Sequence, residues 1–415
     1  GGDYKIKCIG TVNNEQFDGG GGGGGGSGYG YGDGDGDGGS SSGSGRGASS
    51  LVAAEGFLYA GSSSNNTITV WSIASMPSGG CCAYRLGRLG TADGSVKSMV
   101  VVGDKIMSAH HDHRIRIWRR SLQRKQQQPA SQHHRRFGSG GAAGTAGGAA
   151  TDFHDFFKLV ATMPTAENYL RAFLWSPRFI RLRRNESKKL WIQHADAISA
   201  LAVGKGGRFL YSASWDRSIK VWRLSDFMCI ESLHRAHEDA VNTMVVSEEA
   251  DGLLYSGSAD AQIKVWAACP GLASGKVRHS LVATLAGGHR SGVNALALHE
   301  ARHEQHDALS VVLYSASSDN GGGSGVGSGP NILVWQREES GCHMSVAGAL
   351  RGHRHAVLCL AVVPPRPGHG HHPILCSGSA DRTVRVWCRD DDVAAGRNPD
   401  PGPAKARRLA HTCLA

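Results

Sequence analysis

The stretch LYSASWDRSIKVW, from Leu210 to Trp222, decides the fold of this 415-residue chain. Apolar and polar residues alternate in its first half, and β-branched and aromatic residues alternate with polar ones in its second half. Such alternation is typical of strands that bury one face. Asp216 lies between the halves, and Asp favours a tight turn. The stretch therefore predicts a β-hairpin.

The same hairpin recurs, so the chain is read as a repeat protein. Segments of the same length end at Trp118, Trp266 and Trp387, each with an Asp six residues and a Ser ten residues before the Trp. A fifth copy ends at Trp335 and is interrupted by a Gly-rich insertion. A sixth ends at Trp71 and has Asn65 in the Asp position.

Two further predicted strands flank each hairpin. The segment AISALAV precedes the hairpin quoted above, and CIESLHR follows it. Four strands per unit, with 44 residues from Trp222 to Trp266, are the dimensions of one blade of a β-propeller.

These motifs resemble the WD40 repeat family. Gly288-His289 and Gly352-His353 match its Gly-His dipeptide, although the residue after each Trp is not the Asp typical of the family. The resemblance covers roughly residues 51–118 and 190–390, and it implies an all-β propeller with six recognisable blades. Phrases such as LWIQHADAISALAV are similar to plant WD40 proteins of the JINGUBANG type. Those proteins carry seven blades, so the resemblance implies a seventh here.

The resemblance also implies a hydrogen-bonded tetrad in each complete blade, formed by a His, a Ser, the turn Asp and the Trp. A buried Asp needs donors, and His, Ser and Trp supply them. The first two copies lack the His. The four expected tetrads are His194–Ser212–Asp216–Trp222, His237–Ser256–Asp260–Trp266, His289–Ser315–Asp319–Trp335 and His353–Ser377–Asp381–Trp387.

Three regions follow from composition. Residues 1–50 are rich in Gly and Ser and are expected to be disordered, because such a chain has little apolar surface to bury. Within them, Tyr4 to Val12 alternates like a strand and could pair with an open blade edge. Residues 51–415 are assigned to the propeller, with an insertion at 119–189.

The insertion combines a low-complexity linker with predicted helix. Helical spacing links Phe153, Phe156, Phe157 and Val160 and predicts an amphipathic helix. Thr165 is the expected cap of a second helical turn. These aromatic residues either pack on the propeller or dock a partner.

The formal net charge is +10, and its excess is concentrated in the insertion. The basic segment 178–189 is either a nucleic-acid contact, or a solvated strand and linker or a patch for an acidic protein partner. Its few aromatic residues disfavour the nucleic-acid contact. The sequence shows no secretory signal and no run of 18 apolar residues, so membrane insertion is not expected. The 10 Cys are scattered and are expected to be reduced thiols.

No residue pattern predicts catalysis. A Ser, a His and an Asp recur in four of the six copies, which favours a structural network over a catalytic triad. The segment His299 to His303 matches H-E-x-x-H, but this motif binds zinc on a helix and here it is expected in a loop between strands. We therefore expect no catalytic residue, metal, cofactor or small-molecule substrate.

The most specific surface signal is Trp215. Its counterparts in the other turns are small or polar, whereas an exposed Trp either packs on a neighbouring loop or binds a partner. In the resembled family the turns lie on the face where partners dock. The residues expected to share that partner-binding rim are Trp215, Arg217, Arg290, Arg354, His355 and Arg382.

The sequence thus predicts a non-enzymatic scaffold or regulatory adaptor that binds other proteins, located in the cytoplasm, the nucleus or both. The plant resemblance implies signalling proteins or transcription factors as partners. Two alternatives stay open. One is a substrate receptor of a ubiquitin ligase, and the other is a nucleic-acid-associated protein that uses the basic insertion.

Overall fold

The protein consists of 24 β-strands and one α-helix in the described part of a computed structural model. The described residues are 6–13, 48–62, 67–75, 81–89, 95–120, 157–175, 191–248, 252–270, 277–285, 287–302, 309–318, 331–338, 343–365 and 373–389. The strands are β1 Ile6–Asn13, β2 Ala48–Ala54, β3 Phe57–Ser62, β4 Ile68–Ser75, β5 Cys81–Leu89, β6 Val96–Val102, β7 Lys105–His110, β8 Ile115–Arg120, β9 Phe157–Met163, β10 Ile198–Val203, β11 Phe209–Ser214, β12 Ile219–Arg223, β13 Met228–Leu233, β14 Val241–Val246, β15 Leu254–Ser258, β16 Ile263–Pro270, β17 Val277–Leu285, β18 Val293–Arg302, β19 Leu309–Ser317, β20 Asn331–Arg337, β21 Met344–Arg351, β22 Val357–Val363, β23 Ile374–Ser379 and β24 Thr383–Arg389. The helix α1 is Ala166–Trp175.

The strands form six antiparallel four-stranded sheets, which are the blades of the propeller. Blades 1 to 5 each use four consecutive strands, from β2–β5 in blade 1 to β18–β21 in blade 5. Blade 6 combines β22, β23 and β24 with β1. Cys8 pairs with Trp387 in this last ladder, so the two ends of the described chain meet in one sheet.

The alternation seen in the sequence explains the packing between blades. In β11 and β12, Leu210 and Trp222 pack toward blade 2, while Tyr211 and Val221 pack toward blade 4. Each pair of consecutive blades, from 1 and 2 to 5 and 6, shares one such buried apolar cluster. Burial of this surface is the main stabilising term of the fold.

Blades 1 and 6 lack the packing that joins the other neighbouring blades. No apolar cluster of the described residues spans them, because the cluster on that side of blade 6 contains only residues of its own sheet, and β2 and β22 do not lie side by side as the first strands of the other neighbouring blades do. Trp71, Leu51 and Leu58 of blade 1 are half-buried, whereas Trp222, Leu201 and Leu210 at the same positions of blade 3 are buried. The ladder between β1 and β24 lies within blade 6 and supplies the fourth strand of that sheet.

The structure tests two expectations about blade number and the N-terminal region. The six recognisable blades are confirmed, and the described residues include no seventh blade. Disorder of residues 1–50 was wrong for Ile6–Asn13 and for 48–50, which lie in strands. The alternative that the N-terminal segment pairs with a blade edge is confirmed.

The insertion also differs from its prediction in part. The helix expected around Phe157 and Val160 is wrong, because these residues lie in β9, the outer strand of blade 2. Phe153 and Phe156 lie outside the described residues, as do 121–156 and 176–190. The second helical turn is confirmed as α1, and Thr165 caps it by accepting a hydrogen bond from the backbone N of Asn168 at 3.2 Å. Within the part of the chain that is described, no helix is long and apolar enough to cross a membrane.

Candidate functional site

The candidate site is the end of the ring that carries the turns between the second and third strands of the blades, which we call the upper rim. Its four described turns contain Asp112, Asp216, Asp260 and Asp381. Each Asp accepts a hydrogen bond from the backbone N two residues later, as Ser218 donates to Asp216 at 2.9 Å.

The residue after each of these Asp residues has a left-handed backbone. The φ angles are 65° at His113, 68° at Arg217, 64° at Ala261 and 64° at Arg382. This conformation costs an L-residue roughly 1–2 kcal/mol, which the Asp hydrogen bond helps to offset. The Asp therefore fixes the direction in which the next side chain leaves the rim.

A buried chain of hydrogen bonds holds the Asp in blade 3. The Nε1–H of Trp222 donates to Ser212 Oγ at 2.9 Å, and Ser212 Oγ lies 2.8 Å from His194 Nε2. His194 Nδ1 lies 3.0 Å from Asp216. Because Trp can only donate, these contacts assign the Ser hydroxyl as donor to Nε2 and the Nδ1–H as donor to the carboxylate.

The same chain recurs in blades 4 and 6. His237 contacts Asp260 and Ser256 at 2.9 and 2.8 Å, and His353 contacts Asp381 and Ser377 at 2.9 and 2.7 Å. The indole N–H of each blade's Trp donates to the Ser in both cases. In blade 5, His289 and Trp335 contact Ser315, while Asp319 lies outside the described residues.

Burial keeps these His residues neutral. It lowers the pKa of His194, His237 and His353 below the ordinary value, although the neighbouring Asp opposes the shift. Burial alone raises the pKa of Asp216, but hydrogen bonds from His194 and Ser218 outweigh it and hold the pKa well below its usual range. The network is therefore a neutral imidazole between a hydroxyl and a carboxylate.

Blade 2 contains a different network that the sequence comparison of repeats missed. His110 Nε2 lies 2.8 Å from Ser108 Oγ, to which Trp118 donates at 3.3 Å. Asp112 forms an ion pair with Arg116. The signal was present in the sequence, because His110 stands eight residues before the Trp, where blade 3 has Ser214.

The expected rim residues are all exposed on the upper rim, in its turns or in the loops that carry the network His residues: Trp215, Arg217, Arg290, Arg354, His355 and Arg382. Trp215 is 39% exposed. Its ring meets His111 edge to face at 6.4 Å, and Lys97 Nζ lies 5.2 Å from its centroid. Trp215 thus packs against blade 2 and still exposes part of its ring.

The nucleophilic side chains of the network lie beneath the rim and not on it. Ser212, Ser256 and Ser377 are fully buried, so they have no access to a substrate. Burial raises the pKa of the Cys229 thiol to about 12, which keeps this sulfur protonated and poorly nucleophilic. The described residues contain no group of three or more His, Cys, Asp or Glu that could hold a metal ion.

Two sequence predictions near the rim have other outcomes. His299 to Arg302 of the H-E-x-x-H match extend strand β18 rather than forming a loop, and Glu300 accepts a hydrogen bond from Ser247. His303 and the basic segment 178–189 lie outside the described residues.

Three segments match the family described as "WD domain, G-beta repeat", at residues 185–223, 227–267 and 344–388. These segments contain the blades in which the complete hydrogen-bonded chains are described.

Similar proteins carry the same repeats. A WD repeat-containing protein of Schizosaccharomyces pombe is 27% identical over 239 residues, which is 55% of this chain and 56% of that protein. Striatin-4 of Mus musculus is 36% identical over 92 residues, 21% of this chain and 12% of its own length. Kinesin-like protein KIF21A of Homo sapiens is 29% identical over 202 residues, 48% of this chain and 10% of its own length. The match thus spans about half of the first of these relatives and small parts of the other two.

Proposed function

We propose that this chain, whose described residues form six blades and whose repeats match the WD domain family, acts as a non-enzymatic scaffold that binds protein partners through the upper rim. WD40 repeat proteins serve as protein-interaction scaffolds, and the relatives named above fit that role. The observation that carries the proposal for this chain is the half-exposed Trp215 among exposed Arg side chains.

Within each turn, buried residues fix the backbone and exposed residues are available for binding. The buried His and Ser fix the Asp, and the Asp fixes the turn, so the exposed side chains on either side start from a rigid backbone. A rigid surface loses little conformational entropy when it binds. Trp and Arg are the residues most often responsible for binding energy at protein interfaces.

We further propose that the protein is a regulatory adaptor in the cytoplasm, the nucleus or both. The similarity of phrases such as LWIQHADAISALAV to plant WD40 proteins of the JINGUBANG type supports signalling proteins or transcription factors as partners.

Quantitative affinity purification from the source tissue tests the scaffold proposal. Tagged wild-type chain is compared with Trp215→Ala and with the control Leu281→Ala, which removes an exposed apolar side chain from outer strand β17. A hot-spot loss of about 2 kcal/mol predicts roughly thirtyfold weaker binding for Trp215→Ala.

The same experiment separates the alternatives. Partners that depend on Trp215 but not on Leu281 support the upper rim. Partners lost equally in both variants, or in neither, contradict it. Recovery of ubiquitin-ligase subunits would favour the receptor alternative, and recovery that nuclease treatment abolishes would favour nucleic-acid association through residues 178–189.

A further inference from the structure

A repeated hydrogen bond joins the inner strands of neighbouring blades at the upper rim. The inner strand of a blade is its first strand, namely β2, β6, β10, β14, β18 or β22. The second residue of an inner strand faces the first residue of the inner strand in the next blade. Ser49 donates to the carbonyl of Val96, Ser199 to that of Val241, Asn242 to that of Val293 and Asn294 to that of Val357. A short polar side chain at this position therefore has a structural role in four of the six blades.

Lys97 occupies this position in blade 2, and its side chain contacts an aromatic ring of the next blade instead of a backbone carbonyl. Its ammonium lies 5.2 Å from the centroid of the Trp215 ring in blade 3. Trp215 also departs from the repeat pattern, because Ala259 and Ala380 hold its place in blades 4 and 6. Lys97 and Trp215 thus both differ from the repeat pattern, and they contact each other at the junction of blades 2 and 3. The propeller fold requires neither residue.

The surroundings of this pair are cationic. Arg114 and Arg217 are exposed on the turns on either side of the junction. Neither side chain forms an ion pair with a described residue. The turn carboxylates are already engaged, Asp112 by Arg116 and Asp216 by His194. Among the described residues at this junction, Asp196 exposes a carboxylate, which accepts a hydrogen bond from the backbone N of Ala197.

The next stretch of the rim is less cationic. The loop before β14 exposes Glu238 and Asp239 together with Arg235, and the turn of blade 4 offers Ala259 and Ala261 in place of Trp215 and Arg217. An acidic ligand is therefore attracted more strongly to the junction of blades 2 and 3 than to blade 4.

Taking the scaffold function proposed above as its basis, we propose that Lys97, Trp215 and Arg217 form a docking site for an acidic peptide segment that carries an apolar anchor residue. The anchor packs on the exposed part of the Trp215 ring, which His111 and Lys97 hold in place. Carboxylates of the peptide pair with Lys97 and Arg217. This combination of an aromatic anchor and cations selects the chemistry of the partner, whereas the fold alone does not.

Fluorescence anisotropy with the full-length chain and defined probes tests the site. The probe is a labelled peptide of glutamates around a central Leu-Phe pair, and it is compared with a peptide in which lysines replace the glutamates and with an acidic peptide that lacks the Leu-Phe pair. We expect only the first peptide to bind well, with affinity that falls as salt rises.

Variants locate the binding on the molecule. Lys97→Met keeps the length of the side chain over the ring but removes its charge, and we expect at least tenfold weaker binding with little change in the melting temperature. Trp215→Ala is expected to weaken binding roughly thirtyfold. The matched controls are Lys158→Gln, an exposed cation on outer strand β9, and Leu281→Ala, and both should bind like the wild type.

Three results would overturn the inference. The first is equal binding of the acidic and basic peptides, and the second is unchanged affinity in Lys97→Met. The third is binding of a single-stranded oligonucleotide that Lys97→Met abolishes while the acidic peptide stays unbound. If tissue partners still depend on Trp215 when the acidic peptide fails to bind, the scaffold function stands and only the acidic class of partner is wrong.

Discussion

The Ser212 hydroxyl is the central group of the blade 3 network, because it forms hydrogen bonds with two partners at once. It accepts from the indole of Trp222 and lies 2.8 Å from His194 Nε2. Removing it leaves a buried donor and a buried acceptor unsatisfied. A single lost partner costs about 1–3 kcal/mol, and the cost at Ser212 falls on both neighbours.

We therefore expect Ser212→Ala to lower the free energy of unfolding by about 1–3 kcal/mol, with Asp216→Ala and Asp381→Ala in the same range. Chemical denaturation of the three variants and the wild type measures this. Ser345→Ala, on an exposed part of outer strand β21, is the matched control and should change stability little. Denaturation midpoints of Ser212→Ala that coincide with those of Ser345→Ala would contradict the network's role.

The same network makes stability depend on pH. The pKa values of His194, His237 and His353 are lowered by burial, so the unfolded chain binds protons at a higher pH than the folded chain does. Their contribution is fully present above the unfolded His value, near 6.5, and is lost as the pH falls below it. The lowered pKa values of Asp216 and Asp381 act in the same sense at more acidic pH.

We expect the melting temperature to fall steadily from pH 7.5 to pH 5. His194→Gln, which cannot titrate, should be less stable at pH 7.5 and should show a shallower fall, because one of the three groups no longer binds a proton on unfolding. A fall as steep as that of the wild type would show that other groups set the pH dependence. His355→Gln, an exposed His on the rim, is the control.

At the scale of single elements, the insertion shows where sequence reasoning succeeds and where it fails. The helical spacing of Phe153, Phe156, Phe157 and Val160 predicted a helix, yet Phe157–Met163 forms β9. Blade 2 needs a fourth strand, and β9 supplies it by pairing with β8. This tertiary requirement outweighs local spacing, and it is invisible in a window of a few residues.

The cap of α1 was predictable because it depends on local chemistry. Thr165 accepts a hydrogen bond from the backbone N of Asn168, and Asn168 Nδ2 donates to the carbonyl of Phe227 in blade 3 at 3.0 Å. The helix is thereby fixed against the turn between β12 and β13. The first contact could be read from the sequence, and the second could not.

We expect Thr165→Ala to destabilise α1 by about 1 kcal/mol, and Thr165→Ser to retain most of the stability, because the capping oxygen is kept. Hydrogen exchange of the amides in Ala166–Trp175, read by mass spectrometry, measures the effect locally. Faster exchange throughout blade 3 in Thr165→Ala would show instead that the residue supports the propeller as a whole.

For the whole molecule, the repeat determined how much could be predicted. Hairpins, blade class and the His–Ser–Trp contacts follow from registered copies of one pattern, such as Ser212 and Trp222 against Ser256 and Trp266. The outer strand of blade 6 did not follow, because β1 belongs to no copy and precedes the first one by a long segment. The contact of Lys97 with Trp215 was not predicted either, because both residues differ from the repeat pattern and they lie in different blades.

The ladder of β1 with β24 carries the prediction at this scale. Removing residues 1–13 leaves β24 as an unpaired outer edge of blade 6. Open edges pair with other chains. We therefore expect the shortened protein to melt at a lower temperature and to self-associate, as measured by calorimetry and by sedimentation.

A second variant distinguishes the effect of losing strand β1 from the effect of shortening the chain. It replaces Ile6–Asn13 by a Gly/Ser segment of equal length and should behave like the deletion. A monomeric, equally stable shortened protein would mean that β1 is dispensable and that blade 6 is stable with three strands.

The same pairing has a consequence for the order of synthesis. A ribosome delivers β1 before every other described strand and β24 after all of them, so blades 1 to 5 can each assemble from contiguous strands while β1 waits for its partner. The nascent chain must keep Ile6–Asn13 unpaired, or shielded, until β24 has been made. A permuted gene that begins at β2 and places these eight residues after β24 would remove the delay, because every blade would then be complete as soon as its own segment left the ribosome.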